Sequence, residues 1–336
     1  MEAKFEKKTF LFKTPSGTSR GVLTEKYAWL ITIKENNRIG VGECSIIPGL
    51  SPEFLDFNQY ESEIENVCSN IDYYIRNQQE LLVFPSILFG LETALLNLNQ
   101  NRALIYFDND FSRGNLKIPI NGLVWMGDES FMLNQIKAKI EEGFKCIKIK
   151  VGAIDFEKEC KILASIRSVY SEDEIEIRLD ANGAFSMNEV LTKLTVLSEF
   201  KIHSIEQPIK AGFWDDMESV VQNSPIPIAL DEELIGVNAI DEKIKLLNKI
   251  KPDYIILKPS LHGGLAGTKG WIECAENLNI KWWITSALES NVGLTAIAQF
   301  VSQFKTEIPQ GLGTGSLYTN NIESSLKVEN GYIFTV

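Results

Sequence analysis

The chain has 336 residues, is 44% hydrophobic and carries a formal net charge of −12. That length fits one large domain or two unequal ones, and the acidic balance disfavours a phosphate-binding surface and therefore nucleic acid. No apolar run approaches the roughly 18–20 residues that span a bilayer, and residues 1–7 lack the apolar segment of a secretory signal, so a cytoplasmic protein without a membrane partner is expected.

Residues 4–13, 29–34 and 38–44 read as strands, the last two joined through Asn36-Asn37, a hairpin turn. Residues 14–21 read by composition as a flexible loop, and residues 42–51 as a second loop. Helical patterns follow at 59–68 and 85–98, the second placing Ile87, Leu88, Leu91, Leu95 and Leu98 on one side. A small α+β domain ending near residue 116 is expected.

Residues 118–124 then open a repeating series. Asp128 can cap a helix to Glu142 that Gly143 closes. A helix over 155–170 follows, and Ser186-Met187-Asn188-Glu189 has the Ser-x-x-Glu form of a capping box. Weaker helical patterns occupy 213–222, 239–249, 265–278 and 291–303, and residues 307–312 read as an eighth strand. Between the helices, short apolar runs end abruptly in Lys150, Asp180, Glu206, Asp231, Lys258 and Ser286, at steps of 30, 26, 25, 27 and 28 residues. One strand, loop and helix take about that many residues, so the period is that of a repeated βα unit. Successive βα units without a strand-order reversal predict a (β/α)8 barrel, whose functional residues ring the carboxyl ends of the strands. A dinucleotide-binding Gly-x-Gly-x-x-Gly is absent: Gly311-Leu312-Gly313-Thr314-Gly315 comes late and precedes no helix.

Lys148 and Lys150 share one face of their strand, because residues i and i+2 point the same way. In the barrel they stand opposite Lys258, with Asp180, Glu206 and Asp231 in the arc between. Three converging carboxylates repel one another unless a cation sits among them, and oxygen-only ligation points to a hard ion, Mg2+ with Mn2+ as the alternative. A substrate carboxylate there would present its α-carbon to the opposed lysines. A lysine acts as a base only if its pKa falls toward neutrality, which a nearby Mg2+ and the other lysines favour. The set describes proton abstraction α to a carboxylate on a small molecule. Two competing readings are that each carboxylate merely caps the following helix, or that the barrel binds metal without catalysis.

Five scattered cysteines without a Cys-x-x-Cys pair read as reduced thiols. Of two histidines, His203 reads as structural, and His262 opens a His-Gly-Gly loop that can contact a ligand. Whether the chain is a monomer or a homo-oligomer stays open.

Lys148-Ile149-Lys150, Asp180-Ala181-Asn182, Glu206-Gln207-Pro208, Asp231-Glu232 and Lys258-Pro259 resemble the marks of the enolase superfamily in its muconate-lactonizing branch, over about residues 20–315. The resemblance implies an enolase-like modified barrel over 117–312, an α+β capping domain over 1–116, and a segment 313–336 returning to the cap. It also implies two mobile loops, 14–20 and 46–51, that close over the substrate. The mandelate-racemase branch carries a histidine on strand 7, where this chain reads Trp282-Trp283-Ile284-Thr285-Ser286.

Within the branch, residues 40–51 and 286–290 are similar to the dehydratases of menaquinone biosynthesis. That likeness implies loss of water from a hydroxylated cyclohexadiene carboxylate bearing a succinyl arm. Lys150 and Lys258 would be catalytic, and Asp180, Glu206 and Asp231 would be metal ligands with Glu232 behind them. Lys148, Asn182, Ser286, Glu289, Arg20 and Gly311 would face the substrate, Ser286 holding the succinyl carboxylate with neighbouring N–H groups. The alternatives are racemisation of N-succinylamino acids, dipeptide epimerisation and muconate cycloisomerisation. Dipeptide epimerases carry Asp-x-Asp after strand 8, where this chain has Gly311-Leu312-Gly313-Thr314.

Overall fold

The computed structural model describes residues 1–18 and 21–336. Its N-terminal sheet runs β1 (Glu2–Thr18), β2 (Gly21–Glu35) and β3 (Arg38–Ser45), antiparallel and in that order. Trp29, Ile31 and Ile33 alternate along β2 and are fully buried, as a strand period of two demands. Residues 14–18, predicted as loop, instead continue β1. After a register shift between Leu11 and Ser16, Ser16 pairs with Leu23, Gly17 with Val22 and Thr18 with Gly21. Backbone pairing outweighs a turn-rich composition here.

Helices α1 (Phe57–Ser69), α2 (Ile71–Arg76) and α3 (Pro85–Gln100) cover this sheet. A Cβ on Gly42 would lie 1.9 Å from the Gly90 carbonyl oxygen, and one on Gly90 would lie 2.4 Å from Cys44 Sγ. Only glycine at both positions lets α3 lie this close to β3.

The repeating part comprises β4 (Ile118–Pro119), β5 (Gly122–Val124), α4 (Glu129–Glu141), β6 (Cys146–Lys150), α5 (Phe156–Arg167), β7 (Glu176–Asp180), α6 (Val190–Ser198), β8 (Ser204–Glu206), α7 (Trp214–Asn223), β9 (Ile228–Leu230), α8 (Ile240–Ile250), β10 (Tyr254–Leu257), α9 (Gly264–Asn277), β11 (Lys281–Ile284) and α10 (Asn291–Val301). Strands β5 to β11 form one parallel sheet in sequence order. The chain ends in the hairpin β12 (Leu326–Glu329) and β13 (Tyr332–Thr335), which pairs with β4. The predicted strand 118–124 is therefore two: Ile118–Pro119 joins the terminal hairpin, and Gly122–Val124 joins the barrel.

The predicted eighth strand shrinks to two residues. Gln310 N donates to Pro119 O at 2.8 Å and Gly311 N to Ile284 O at 2.8 Å, while Asn121 N and Ser286 N donate to Gln310 O and Gly311 O at 3.0 and 3.1 Å. These bonds join the two edge strands and close the barrel. Pro309 has no N–H to lengthen the ladder.

Helix starts follow the predicted chemistry in part. Asp128 accepts from Phe131 N at 2.8 Å, and Asp155 accepts from Glu157 N and Lys158 N. At the predicted capping box only the return bond forms, Ser186 N to Glu189 Oε1 at 3.1 Å, and regular helix begins at Val190.

At the amino-terminal end of the barrel, Arg178 is buried with its guanidinium 4.3 Å from the Trp283 ring, donating to Glu176 and Pro309 O. His203 lies in the same layer against Ser204 and Tyr254, remote from the mouth, as a structural histidine should. Among the described residues all five cysteines are free, and no helix is long and apolar enough to cross a membrane.

Two glutamates from the N-terminal part reach the barrel's last helices. Glu43, on β3, accepts from Ser290 N, Ser290 Oγ and Gly293 N at the start of α10, at 2.9, 2.5 and 2.9 Å. Glu92, on α3, accepts from Leu265 N and Ala266 N at the start of α9. Each fills the orphan-donor end of a helix, where negative charge is favoured.

Burial nevertheless pushes Glu92 up from 4.5 to about 7. An acid whose pKa is raised on folding binds more protons folded than unfolded between about 4.5 and 7, so it makes stability fall as pH rises through that window. The amount is on the order of 3 kcal/mol. Glu92→Gln mimics the protonated acid and lacks this loss, so thermal melts of wild type and variant should lie close near pH 4.5 and diverge toward pH 8, with the wild type falling below. A wild-type minus variant difference that stays flat would exclude it.

Candidate active site

The strand register assembles the mouth. Lys150 pairs with Asp180 and Asp180 with Glu206 across β6, β7 and β8, so the three stand at one level. Asp231 follows β9 and Lys258 follows β10 directly. The acids are withdrawn from solvent, with Asp180 1%, Glu206 2% and Asp231 0% exposed.

Each acid meets an ammonium. Lys148 Nζ lies 3.1 Å from Asp180 Oδ2 and also pairs with Glu206 Oε2. Lys150 donates to Asp180 Oδ2 and Asn182 Oδ1, both at 2.8 Å. Lys258 donates to Asp231 Oδ2 from the far side.

The residues just past the strands are held firmly. Asn182 donates to Glu232 Oε1 at 3.0 Å. Gln207 donates to Glu233 and Ile209 O, and accepts from Asp231 N and Glu233 N. Asn182 and Gln207 both adopt left-handed backbone, at φ 44° and 41°. Strain of this kind in non-glycine residues persists where surrounding contacts over-determine it, often at working sites.

Electrostatics divide the acids. Burial alone would raise Asp180, but Lys148 and Lys150 hold it well below the usual carboxylate range. Burial likewise opposes ionisation of Asp231, and Lys258 more than offsets it. Glu206 goes the other way, raised well above its ordinary value by burial and then by the charge of Asp180. The lysines also depart from the sequence expectation of a lowered pKa. Burial pulls Lys148 and Lys258 down, but the surrounding carboxylates outweigh it and hold both above their ordinary value.

The donor set fits a divalent cation. Glu206 Oε1 and Asp231 Oδ1 are buried and find no hydrogen-bond donor among the described residues. A positive charge beside them would relieve the repulsion that raises Glu206. With the ammonium groups seated on these acids, no three acidic, histidine or cysteine side chains among the described residues are gathered as a closed ligand set. The oxygen-only chemistry of the acids, not a preformed shell, is what matches a hard ion.

Above the acids lies a cavity of about 300 Å3. Its floor is Lys148, Lys150, Asp180, Asn182, Glu206, Asp231 and Lys258; its roof from the N-terminal part is Leu23, Tyr27, Ile47, Pro48 and Leu50, with Glu25 and Lys26 beside them. A charged floor and a largely apolar roof suit a small carboxylate with a hydrocarbon body.

Residues 132–335 match the family model described as "Enolase C-terminal domain-like". The chain belongs to the enolase superfamily. Residues 18–98 match the model described as "MenC, N-terminal domain". Among relatives of this enolase-superfamily chain, an o-succinylbenzoate synthase of Desulfotalea psychrophila is 45% identical, covering 99% of this chain and 98% of that protein. A D-Ala-D/L-Ala epimerase of Cytophaga hutchinsonii is 25% identical, covering 88% and 81%. The crystal structure of MenC from D. psychrophila superposes with a TM-score of 0.85 at 42% identity, covering 99% of both chains. A muconate lactonizing enzyme from Pseudomonas fluorescens superposes at 0.82 with 19% identity, covering 99% and 93%, a likeness of fold alone.

The remaining predicted contacts of this enolase-superfamily site fall out unevenly. Ser286 and Gly311 line the cavity, Ser286 Oγ sharing a hydrogen bond of 2.7 Å with Thr314 Oγ1. Glu289 does not: it is 0% exposed, pairs with Ser260 Oγ and accepts from Ala287 N at 2.6 Å. Its carboxylate is used up by Ser260 of the preceding βα loop and by Ala287 of its own, so it shapes the wall without forming it. Arg20 lies outside the described residues. Sequence reasoning missed Leu23, Glu25, Lys26 and Tyr27 on β2, and Asn121, Trp125 and Thr314. Lys26 is buried, donates to Ser45 Oγ at 2.6 Å and to Ile46 O, and is lowered by burial to about 8. Period-two alternation from buried Ala28 back to Lys26 was the one signal that could have found it.

Proposed function

We propose that the chain is an o-succinylbenzoate synthase, a hydro-lyase of menaquinone biosynthesis. It would convert 2-succinyl-6-hydroxy-2,4-cyclohexadiene-1-carboxylate to o-succinylbenzoate and water. The observation that carries this reading is the 45% identity, over 99% of the chain, to a relative of that activity. The opposed Lys150 and Lys258 beside three buried acids supply the chemistry.

Asp180, Glu206 and Asp231 would hold the metal, Mg2+ by its hardness. When bound it supplies positive charge beside the substrate carboxylate as negative charge develops there. The substrate carboxylate points toward these acids and the ring lies under the apolar roof. Lys150, in its free-base form, takes the proton from the carbon bearing the carboxylate. The resulting enediolate is stabilised by the Lys258 ammonium on the opposite side. The carbon–hydroxyl bond then breaks, the ring double bond forms, and Lys150 returns the proton to the departing hydroxide as water. Ser286 and Thr314, with the backbone around Gly311 and Gly313, form the end of the cavity suited to the succinyl carboxylate. Ile47, Pro48 and Leu50 exclude water from the intermediate.

Purified protein with Mg2+ and the hydroxy-cyclohexadiene acid should remove the diene absorbance with formation of the aromatic acid. Chelation should stop it and added Mg2+ restore it. No turnover, together with racemisation of N-succinylamino acids, would transfer the assignment to a racemase of the same superfamily.

A further inference from the structure

We infer that His262 is the positioning residue of Lys258, its ring tethering the backbone from which that lysine enters the cavity. The inference rests on the catalytic role given to Lys258 above. The last ladder bond beside β10 is Thr285 N to Leu257 O, at 2.8 Å. Lys258 lies one residue past β10, so its own N–H needs an acceptor elsewhere, or remains a buried orphan. His262 Nδ1 accepts it at 2.9 Å. In return the Lys258 carbonyl accepts from His262 N at 3.0 Å and from Leu261 N at 2.8 Å. Both backbone groups of Lys258 are thus tied to residue 262, and Pro259 between them fixes its own φ.

The tether is itself immobilised. His262 is 1% exposed, and its ring faces Trp271 of α9 with centroids 6.5 Å apart at 63°. Gly263 and Gly264 adopt φ +79° and +72°, a consecutive left-handed pair that turns the chain straight into α9. A Cβ on Gly267 would meet the His262 carbonyl oxygen at 2.1 Å, so the first turn of α9 packs directly on the tether. The His-Gly-Gly stretch is therefore one device: an acceptor, then two residues that bring a helix over it. His262 is not on the cavity wall, and ligand contact is not its role.

Only an unprotonated Nδ1 can accept, which puts the ring proton on Nε2. Burial drives the ring down to about 3, Lys258 and Lys243 adding to the fall against the pull of Asp231, so the acceptor persists at every pH where catalysis is measured.

A ring that merely fills space could be replaced by any side chain of similar bulk, whereas a tether needs an acceptor two bonds beyond Cβ. Asparagine places Oδ1 there and leucine places a methyl group there. With Mg2+ and the hydroxy-cyclohexadiene acid, His262→Leu should lose about 10–100-fold in kcat with KM within about twofold, and His262→Asn should stay within about threefold of wild type. The Mg2+-induced rise in Tm should be the same in all three. A leucine variant with full kcat, or an asparagine variant that falls as far as leucine, overturns the inference. Should His262→Leu not fold, the wild-type 15N spectrum decides, since the chain has only two histidines. One ring should be protonated at Nε2 alone and should not titrate between pH 5 and 9, and a proton found on its Nδ1 rejects the tether. Lys258→Ala serves as the control: full turnover there would defeat the proposed function, whatever His262 does.

Discussion

Lys150→Ala should lose about 10²–10⁴-fold in kcat, the range for removal of a positioned general base. Lys150 is held by Asp180 and Asn182 at 2.8 Å each, in the wall of the cavity that Lys258 also lines. Removing it leaves the apolar roof intact, so KM for the hydroxy-cyclohexadiene acid should change far less than kcat. Incorporation of solvent deuterium at the carbon next to the substrate carboxylate should disappear with turnover. Exchange that survives in the alanine variant would assign the base to another group, and Lys258 would be the first to test.

The acids should separate in a second experiment, thermal melts with and without Mg2+. Asp231 is ionised against the buried Lys258 ammonium, and Asp231→Asn leaves that cation without its counter-charge. The metal-free variant should be less stable by about 3–5 kcal/mol. Burial and the charge of Asp180 both favour the neutral form of Glu206, so without Mg2+ Glu206→Gln should cost less stability than Asp231→Asn. Both variants should lose the Mg2+-induced rise in Tm and with it turnover. If Glu206→Gln still responds to Mg2+ as wild type does, Glu206 is not a ligand.

Much of this arrangement was legible in the residues because strand geometry is local. Alternation puts Lys148 and Lys150 on one face, and a recurring interval of 25–30 residues marks five successive strand ends, Lys150 to Lys258, with a charged side chain. Neither inference needs knowledge of distant contacts. Failures came where backbone pairing or a partner on another element decides. Residues 16–18 have loop composition, yet pair with residues 21–23 of β2 because backbone bonds ignore side-chain type. The resemblance implied that Glu289 faces the substrate, but Ser260 Oγ and Ala287 N occupy its carboxylate. Lys26 reaches the cavity only once the N-terminal sheet is folded over the barrel, and its alternation with Ala28 marks it as buried without saying what it faces. The eighth strand was placed correctly but overlong, because Pro309 limits pairing to Gln310 and Gly311.

Glu43 and Glu92 give the chain an interdependence beyond the cavity roof. Two consecutive barrel helices, α9 and α10, begin with backbone donors satisfied by side chains encoded more than 170 residues earlier. The two parts are consequently not modular. A fragment beginning at the barrel would expose two unfinished helix ends, and a chimera carrying a foreign roof would have to bring its own pair of carboxylates. Exchange of roofs between relatives, an obvious route to new substrates, is thereby confined to donors that share this wiring.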